Sequence, residues 1–301
     1  EQEVMLTVVV TALASLLWLA IMFIPLERAF PAREGQRFLR AGFVTDLAFF
    51  FGQHLAFGAI AVHLLTLGTS PLDMTHLAGG LLEAYRGVPF WPQIIIALML
   101  GDLAAYWGHR LQHRVEFLWR FHSIHHSNTE IDWLAAHREH PLDGLYTQFW
   151  VNLPAILLGF DLQAALGLVA FRSLWAIFIH SNVRLPLGPL HYLVGSPALH
   201  HWHHALDRDT GNYANLAPWL DLLFGTYHCP DHEPEAMGVG EPMPESYLGL
   251  LLHPFLPRAA RAMAHEERLA ATDEIEKASV AKPGALSENL SQPAARGAAG
   301  Q

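Results

Sequence analysis

From Val4 to Ile24 the chain reads VMLTVVVTALASLLWLAIMFI without one charged residue. At 1.5 Å of rise per residue, a helix of that length crosses a hydrocarbon core of about 30 Å. The run therefore predicts a membrane-spanning helix ended by Pro25, which lacks the N–H that a continuing helix needs. Composition agrees: 52% of residues are hydrophobic and 15% charged, where an ordinary soluble domain carries about a quarter charged. A net charge of −10 argues against a nucleic-acid partner, whose phosphates require a basic face.

Further apolar stretches follow. The loop ERAFPAREGQRFLRAG carries Arg28, Arg33, Arg37 and Arg40, which the positive-inside rule places in the cytoplasm, with the N-terminus outside. Phe43 to Leu67 predicts a second span, containing Asp46, Gln53, His54 and His63; both histidines are expected to pack between helices. The loop Gly68 to Pro92 holds one Arg and no Lys, as on an outer face. Residues 93–108 predict a third span that runs into His109 on the cytoplasmic side. Tyr146 to Ile179, broken at 159–161, gives two short apolar segments, either a hairpin that dips in and returns or two full spans. Both arrangements return the chain to the same side. The expected fold is thus an all-α, polytopic membrane helical bundle with a cytoplasmic histidine-rich cap, one membrane-embedded domain over 1–257. Residues 258–301 are expected to form a polar helix and a disordered tail. Cys229 is the only cysteine, so there is no intramolecular disulfide and no thiolate metal site.

Thirteen of the twenty histidines lie between His109 and His204, in the clusters HRLQH (109–113), HSIHH (122–126), HREH (137–140) and HHWHH (200–204), with His180 and His191 alone. Spacings of three and four residues put successive rings on one helical face. Clustered neutral imidazoles contribute little to packing but are common metal ligands, so the pattern predicts convergence on more than one metal ion. Asp102, Tyr106, His109 and His113 form one stripe of the third helix. Asp102 is expected to accept the ring N–H that faces away from a metal, with Tyr106 beside it. His191 sits in a Pro/Gly-rich turn and is expected outside the site.

The order H-x-x-x-H, H-x-x-H-H, a single histidine, then H-x-x-H-H resembles the fatty acid hydroxylase and sterol desaturase superfamily of integral-membrane enzymes. DLAAYWGHRLQH (102–113), FHSIHHS (121–127), HPLD (140–143), FIHSNVRLPLGPL (178–190) and RDTGNYANLAPWLDLLFGTY (208–227) carry the likeness, which covers roughly 93–230. The resemblance implies a non-haem centre of two iron ions that uses O2 and external electrons to hydroxylate or desaturate lipid C–H bonds. By position it implies as ligands His109 and His113, then His122, His125 and His126, then His180, then His200, His203 and His204. Relatives often have a tenth histidine; this chain has Arg184 where some place it, and His140, before Pro141, ranks ahead of His137. His201, beside His200, is expected to support the site without binding metal. There is no HPGG haem motif and no nucleotide fingerprint, so electrons are expected from a separate ferredoxin or cytochrome b5 with its reductase. The rival readings are a desaturase with the same centre, and a membrane haem or metal-transport protein. Haem needs paired axial histidines within spans and transport needs ligands along a transmembrane path, whereas these histidines gather at one membrane edge.

Overall fold

The structure is a computed structural model that describes residues 2–57, 83–158, 162–241 and 243–257. The chain divides into a unit Glu1–Pro254, which holds every element named below, and a unit Phe255–Gln301. The expected C-terminal helix and tail, the far part of the second span with His63, most of the loop before Pro92, and the break at 159–161 lie outside the described residues.

Helix α1 (Gln2–Ala29) is longer than the apolar run that predicts it, because Pro25 does not end it. A proline removes a single backbone bond, and the turn beyond it is anchored from outside: Glu27 accepts from the backbone N–H of Trp133 and of Asn182, each at 2.9 Å. Leu19 and Phe23 pack against Phe50, Trp133, Leu134 and Ile177. The opposite stripe, Leu6, Val10, Leu13, Leu17 and Ile21, is 51–64% exposed. A helix that is apolar on both its packed and its open face belongs in lipid rather than in water.

Helix α2 (Phe43–Gly52) continues as a π-helical turn, Gln53–Phe57. A buried ionic cluster holds its start. Arg40 pairs with Asp46 at 2.6 Å and with Asp132, and Arg138 pairs with the other oxygen of Asp46. The cluster ties α2 to the 3-10 turn Trp133–His137. Arg33 donates to the carbonyl of Pro234, so two of the four loop arginines serve the fold as well as the charge balance.

Helix α3 (Phe90–Arg114) extends the predicted third span without interruption past His109 and His113. It buries Ala97, Gly101, Asp102, Ala105, Tyr106 and Gly108 and exposes Phe90, Trp91, Ile95 and Leu100. At Gly108 a Cβ would lie 2.5 Å from the Trp150 ring of α5 (Pro141–Leu157), so only glycine lets the two helices approach as they do. Between them come the short α4 (Glu116–His122) and a 3-10 turn, His125–Ser127. Then follow α6 (Leu162–His180), α7 (Pro197–His203), α8 (Trp219–Phe224) and α9 (Tyr247–Leu252). The described residues contain no strand, only isolated bridges Pro31–Val183 and Ala205–Met237, so the fold is all-α. Two helices, over Leu6–Ala29 and Phe90–Arg114, are long and apolar enough to cross a membrane. Their outward apolar faces mark the protein as membrane-associated.

Candidate metal centre

Five elements deliver histidines to one place. The C-terminal turns of α3 present His109 and His113; the end of α4 and the turn after it present His122, His125 and His126. His180 is the last residue of α6, and α7 with its C-cap presents His200, His203 and His204. Their ring nitrogens form two groups, His109, His113, His122, His126 and His203 in one and His125, His180, His200 and His204 in the other, each within 4.8 Å.

The two H-x-x-H-H motifs do not each serve one group. His122 and His126 join the first group while His125 joins the second; His200 and His204 join the second while His203 joins the first. Residues i and i+4 lie about 40° apart around a helix, whereas i+3 falls about 100° from i+4. One motif can therefore reach to both sides. The expectation of a single shared face is too simple, because α4 ends at His122 and the chain tightens to a 3-10 turn before His125.

The outward ring nitrogens fix the tautomers. His125 Nδ1 lies 3.2 Å from the Arg138 carbonyl and His180 Nδ1 lies 2.7 Å from that of Ala176. A carbonyl only accepts, so both Nδ1 atoms carry the proton, and a neutral ring then has only a lone pair at Nε2. Yet the two Nε2 atoms face each other at 3.0 Å. Similarly, His109 Nδ1 donates to Tyr213 O (2.9 Å), His113 Nδ1 to Arg208 O (2.8 Å) and His203 Nδ1 to Gly211 O (2.7 Å). The inward Nε2 atoms of His113 and His203 are buried without a partner. Burial and the neighbouring imidazoles push His122, His125, His126, His200, His203 and His204 well below the usual histidine range, so added protons do not resolve the contacts.

A cation does. With a metal–nitrogen bond of about 2.1 Å, two ligands at right angles stand about 3.0 Å apart. Five of the inward Nε2···Nε2 distances within the groups are 3.0–3.2 Å, and all the ring nitrogens of each group lie within 4.8 Å of one another. Converging lone pairs, with the far nitrogens of six of the nine rings already engaged, fit a metal ion in each group.

The chain segment 208–213 supplies three of those outer acceptors and is itself held firmly. Asp221 accepts from the backbone of Tyr213 (2.8 Å) and Ala214 (3.0 Å) and from the Thr226 hydroxyl (2.7 Å). Asn212, in the left-handed region at φ 56°, donates through Nδ2 to Leu199 O at 2.9 Å. Gly211, at φ 104°, passes so close to Thr226 that a Cβ would stand 2.1 Å from its carbonyl oxygen. Asp102 touches no ligand ring. Seven residues of helix separate it from His109 by about 10 Å, beyond a carboxylate's reach, and it accepts instead from Leu216 N (3.1 Å) and Ala217 N (2.9 Å). Tyr106 bonds Thr226 Oγ1 at 2.8 Å, and its ring meets that of Phe224 at 5.0 Å and, edge-on, that of Tyr213 at 6.0 Å. Both residues therefore brace the segment that holds the ligands.

The other candidates lie apart from the two groups. His140 is the N-cap of α5: its Nδ1 accepts from Leu142 N (3.1 Å) and its Nε2 donates to Leu251 O (3.2 Å). His137 bonds Gln53, and His201 lies between Glu233 (2.7 Å) and the Ser181 carbonyl (3.1 Å). Arg184 reaches Glu233 at 3.8 Å. His191 is near Tyr227 at 3.4 Å, away from both groups. Sequence reasoning missed Asp143, which accepts from His122 Nδ1 at 2.9 Å and from Gln112 Nε2 at 2.6 Å. The available signal was an acid in the first turn after Pro141, where a helix N-terminus favours a carboxylate.

Comparison with known proteins agrees with this geometry. Residues 94–226, which include both histidine groups, match the family model for fatty acid hydroxylase. An ornithine lipid hydroxylase of Rhizobium tropici is 30% identical over 243 residues, covering 77% of this chain and 70% of that protein. Human alkylglycerol monooxygenase is 30% identical over 144 residues, 47% of this chain and 32% of its own length. A very-long-chain aldehyde decarbonylase of Oryza sativa subsp. indica is 30% identical over 146 residues, 46% of this chain and 55% of its own length. The chain thus spans about a third and about half of these last two relatives. No solved structure matches it. With its histidine region matched by the family model and more than two thirds of a lipid hydroxylase covered, the chain belongs to the fatty acid hydroxylase family of oxidoreductases.

Proposed function

We propose that the protein is a polytopic membrane oxygenase with a non-haem di-iron centre, hydroxylating a lipid-like substrate such as a fatty acyl chain or sterol. The observation that carries this is the pair of histidine groups with Nε2 lone pairs turned inward. His109, His113, His122, His126 and His203 would hold one ion, and His125, His180, His200 and His204 the other. Imidazole accepts several metals, but oxidising an unactivated C–H bond requires redox-active ions, and iron bound here would supply that redox chemistry toward O2. The balance is R–H + O2 + 2 e⁻ + 2 H⁺ → R–OH + H2O, with the electrons from a separate ferredoxin or cytochrome b5 and its reductase.

The chain's own part is to hold and orient. The carbonyls of Arg208, Gly211 and Tyr213 fix three rings of the first group, and those of Arg138 and Ala176 fix two of the second. The apolar helices deliver the substrate from the bilayer. The arginine-rich loop after α1 supports an N-terminus outside, with the histidine groups and C-terminus cytoplasmic. Residues 1–257 form one membrane-embedded domain in this reading, with α5 and α6 either a short hairpin that dips in and returns or two full spans.

Iron loading of purified protein tests the proposal. About two iron ions per chain are expected, one for each group; a site that takes up no redox metal refutes it. Mass spectrometry of the product separates hydroxylation, a gain of one oxygen, from desaturation, a loss of two hydrogens.

A further inference from the structure

His137 lies outside both histidine groups but next in sequence to a residue that orients one of their rings. His137 ends the 3-10 turn Trp133–His137, one residue before Arg138, whose carbonyl orients His125. The residue is 8% exposed and its ring sits edge-on to Phe50 at 4.8 Å, with the His54 ring at 6.0 Å. Phe50 belongs to the apolar cluster with Leu19, Phe23, Trp133 and Ile177.

Gln53 settles the tautomer of His137. Its Nε2 donates to the His137 carbonyl at 3.1 Å, which leaves its amide oxygen as the atom 3.1 Å from His137 Nδ1. An amide oxygen only accepts, so Nδ1 carries the proton and Nε2 offers a lone pair. That Nε2 is buried with no partner. The ring also stays neutral, since burial, with His54 and His180 nearby, pushes its pKa down to about 3. Gln53 and His54 open the π-helical turn of α2, a distortion that recurs at functional sites because it redirects side chains.

A neutral acceptor, held in one tautomer and left without a partner beside the apolar cluster of Phe50, calls for a donor from outside the chain. Resting on the oxygenase reading, we propose that His137 Nε2 accepts a hydrogen bond from an O–H or N–H group of the lipid substrate. It thereby sets which carbon lies at the histidine centre. The substrate class is then lipids with a hydroxyl or amide group near the oxidised carbon, rather than bare alkyl chains. His137 acts as a specificity residue and Gln53 as the positioning residue that fixes its ring.

The test compares cells producing the wild type, His137→Phe, His137→Gln and Gln53→Leu, with product lipids and their oxygen positions determined by tandem mass spectrometry. Iron content is measured on each purified protein. In His137→Phe, iron content is expected to hold while product falls about tenfold or its oxygen spreads to neighbouring carbons. His137→Gln keeps an acceptor near the place of Nε2 and should keep the wild-type position. Gln53→Leu frees the tautomer and should fall between. Zinc-loaded protein in nanodiscs, which binds without turnover, should take up the wild-type product lipid about tenfold more weakly when His137 is Phe. Should the Phe variant not fold, the Gln and Leu variants carry the same comparison. Unchanged yield, position and binding overturn the inference, and so does loss of iron in His137→Phe, which would make the ring a ligand. An iron-loaded wild type that yields no product refutes the oxygenase reading itself, and the inference falls with it.

Discussion

Asp143→Leu separates what a ligand's outer partner contributes to metal binding from what it contributes to folding. Asp143 is 3% exposed, and its two oxygens bond His122 Nδ1 at 2.9 Å and Gln112 Nε2 at 2.6 Å. Removing the partner of a metal-bound histidine costs about 10–100-fold in metal affinity. At about 1.4 kcal/mol per tenfold, that matches the roughly 1.5–3 kcal/mol of a hydrogen bond to a charged group. The loss is confined to one group, since the second takes no ring from this carboxylate. Folding should respond as well. Leucine leaves the buried His122 Nδ1–H without its acceptor and Gln112 Nε2 with Thr147 alone at 3.3 Å, which costs about 1–3 kcal/mol, offset in part because burial pushes the Asp143 carboxyl up and disfavours its charged form. Chelator competition on the loaded protein should show one ion released about 10–100-fold more readily and the other unchanged, with the metal-free protein still folded at a modestly lower melting temperature. Two ions released as in the wild type would refute the role of Asp143, and two lost together with folding would refute the separation of the groups.

Two other perturbations probe the same framework. Gly211→Ala forces an L side chain into φ 104°, where a left-handed residue costs roughly 1–2 kcal/mol before any clash. Its Cβ would also meet Thr226 O at 2.1 Å, so the segment must move and the carbonyl that orients His203 with it; differential scanning fluorimetry should show a lower melting temperature and metal analysis a weakened site. The third concerns pH in the chelator-stripped protein. The six histidines of α4, α7 and the adjoining turns have folded pKa values pushed below their unfolded value of 6.5, so the unfolded chain takes protons first. Stability is then full above about pH 6.5 and falls below it by up to about 1.4 kcal/mol per pH unit for each such ring; a flat denaturation profile between about pH 7.5 and 5.5 would contradict their burial.

The parts of this protein legible in its sequence are those carried by side-chain period and composition. An apolar run long enough for a bilayer marks α1 and α3, and histidines three and four residues apart mark the rings that meet. What stayed hidden depends on backbone brought from far away. His140 shows how one residue can mislead: its place before Pro141 fits a ligand motif, but a residue before proline is extended and at a helix start its side chain caps. The larger gap is that five of the six rings with identified outer partners donate to carbonyls, and a carbonyl has no residue type by which to find it. What the sequence does contain is the side chains that hold those carbonyls still: Asp102 on the backbone of Leu216 and Ala217, and Asp221 on that of Tyr213 and Ala214. The chemistry explains the choice. A carboxylate behind every ring would cancel the charge of the ions, while a carbonyl orients a ring and leaves that charge in place. With Asp143 the single carboxylate bonded to a ring of either group among the described residues, the two groups keep most of the positive charge of the ions they would bind.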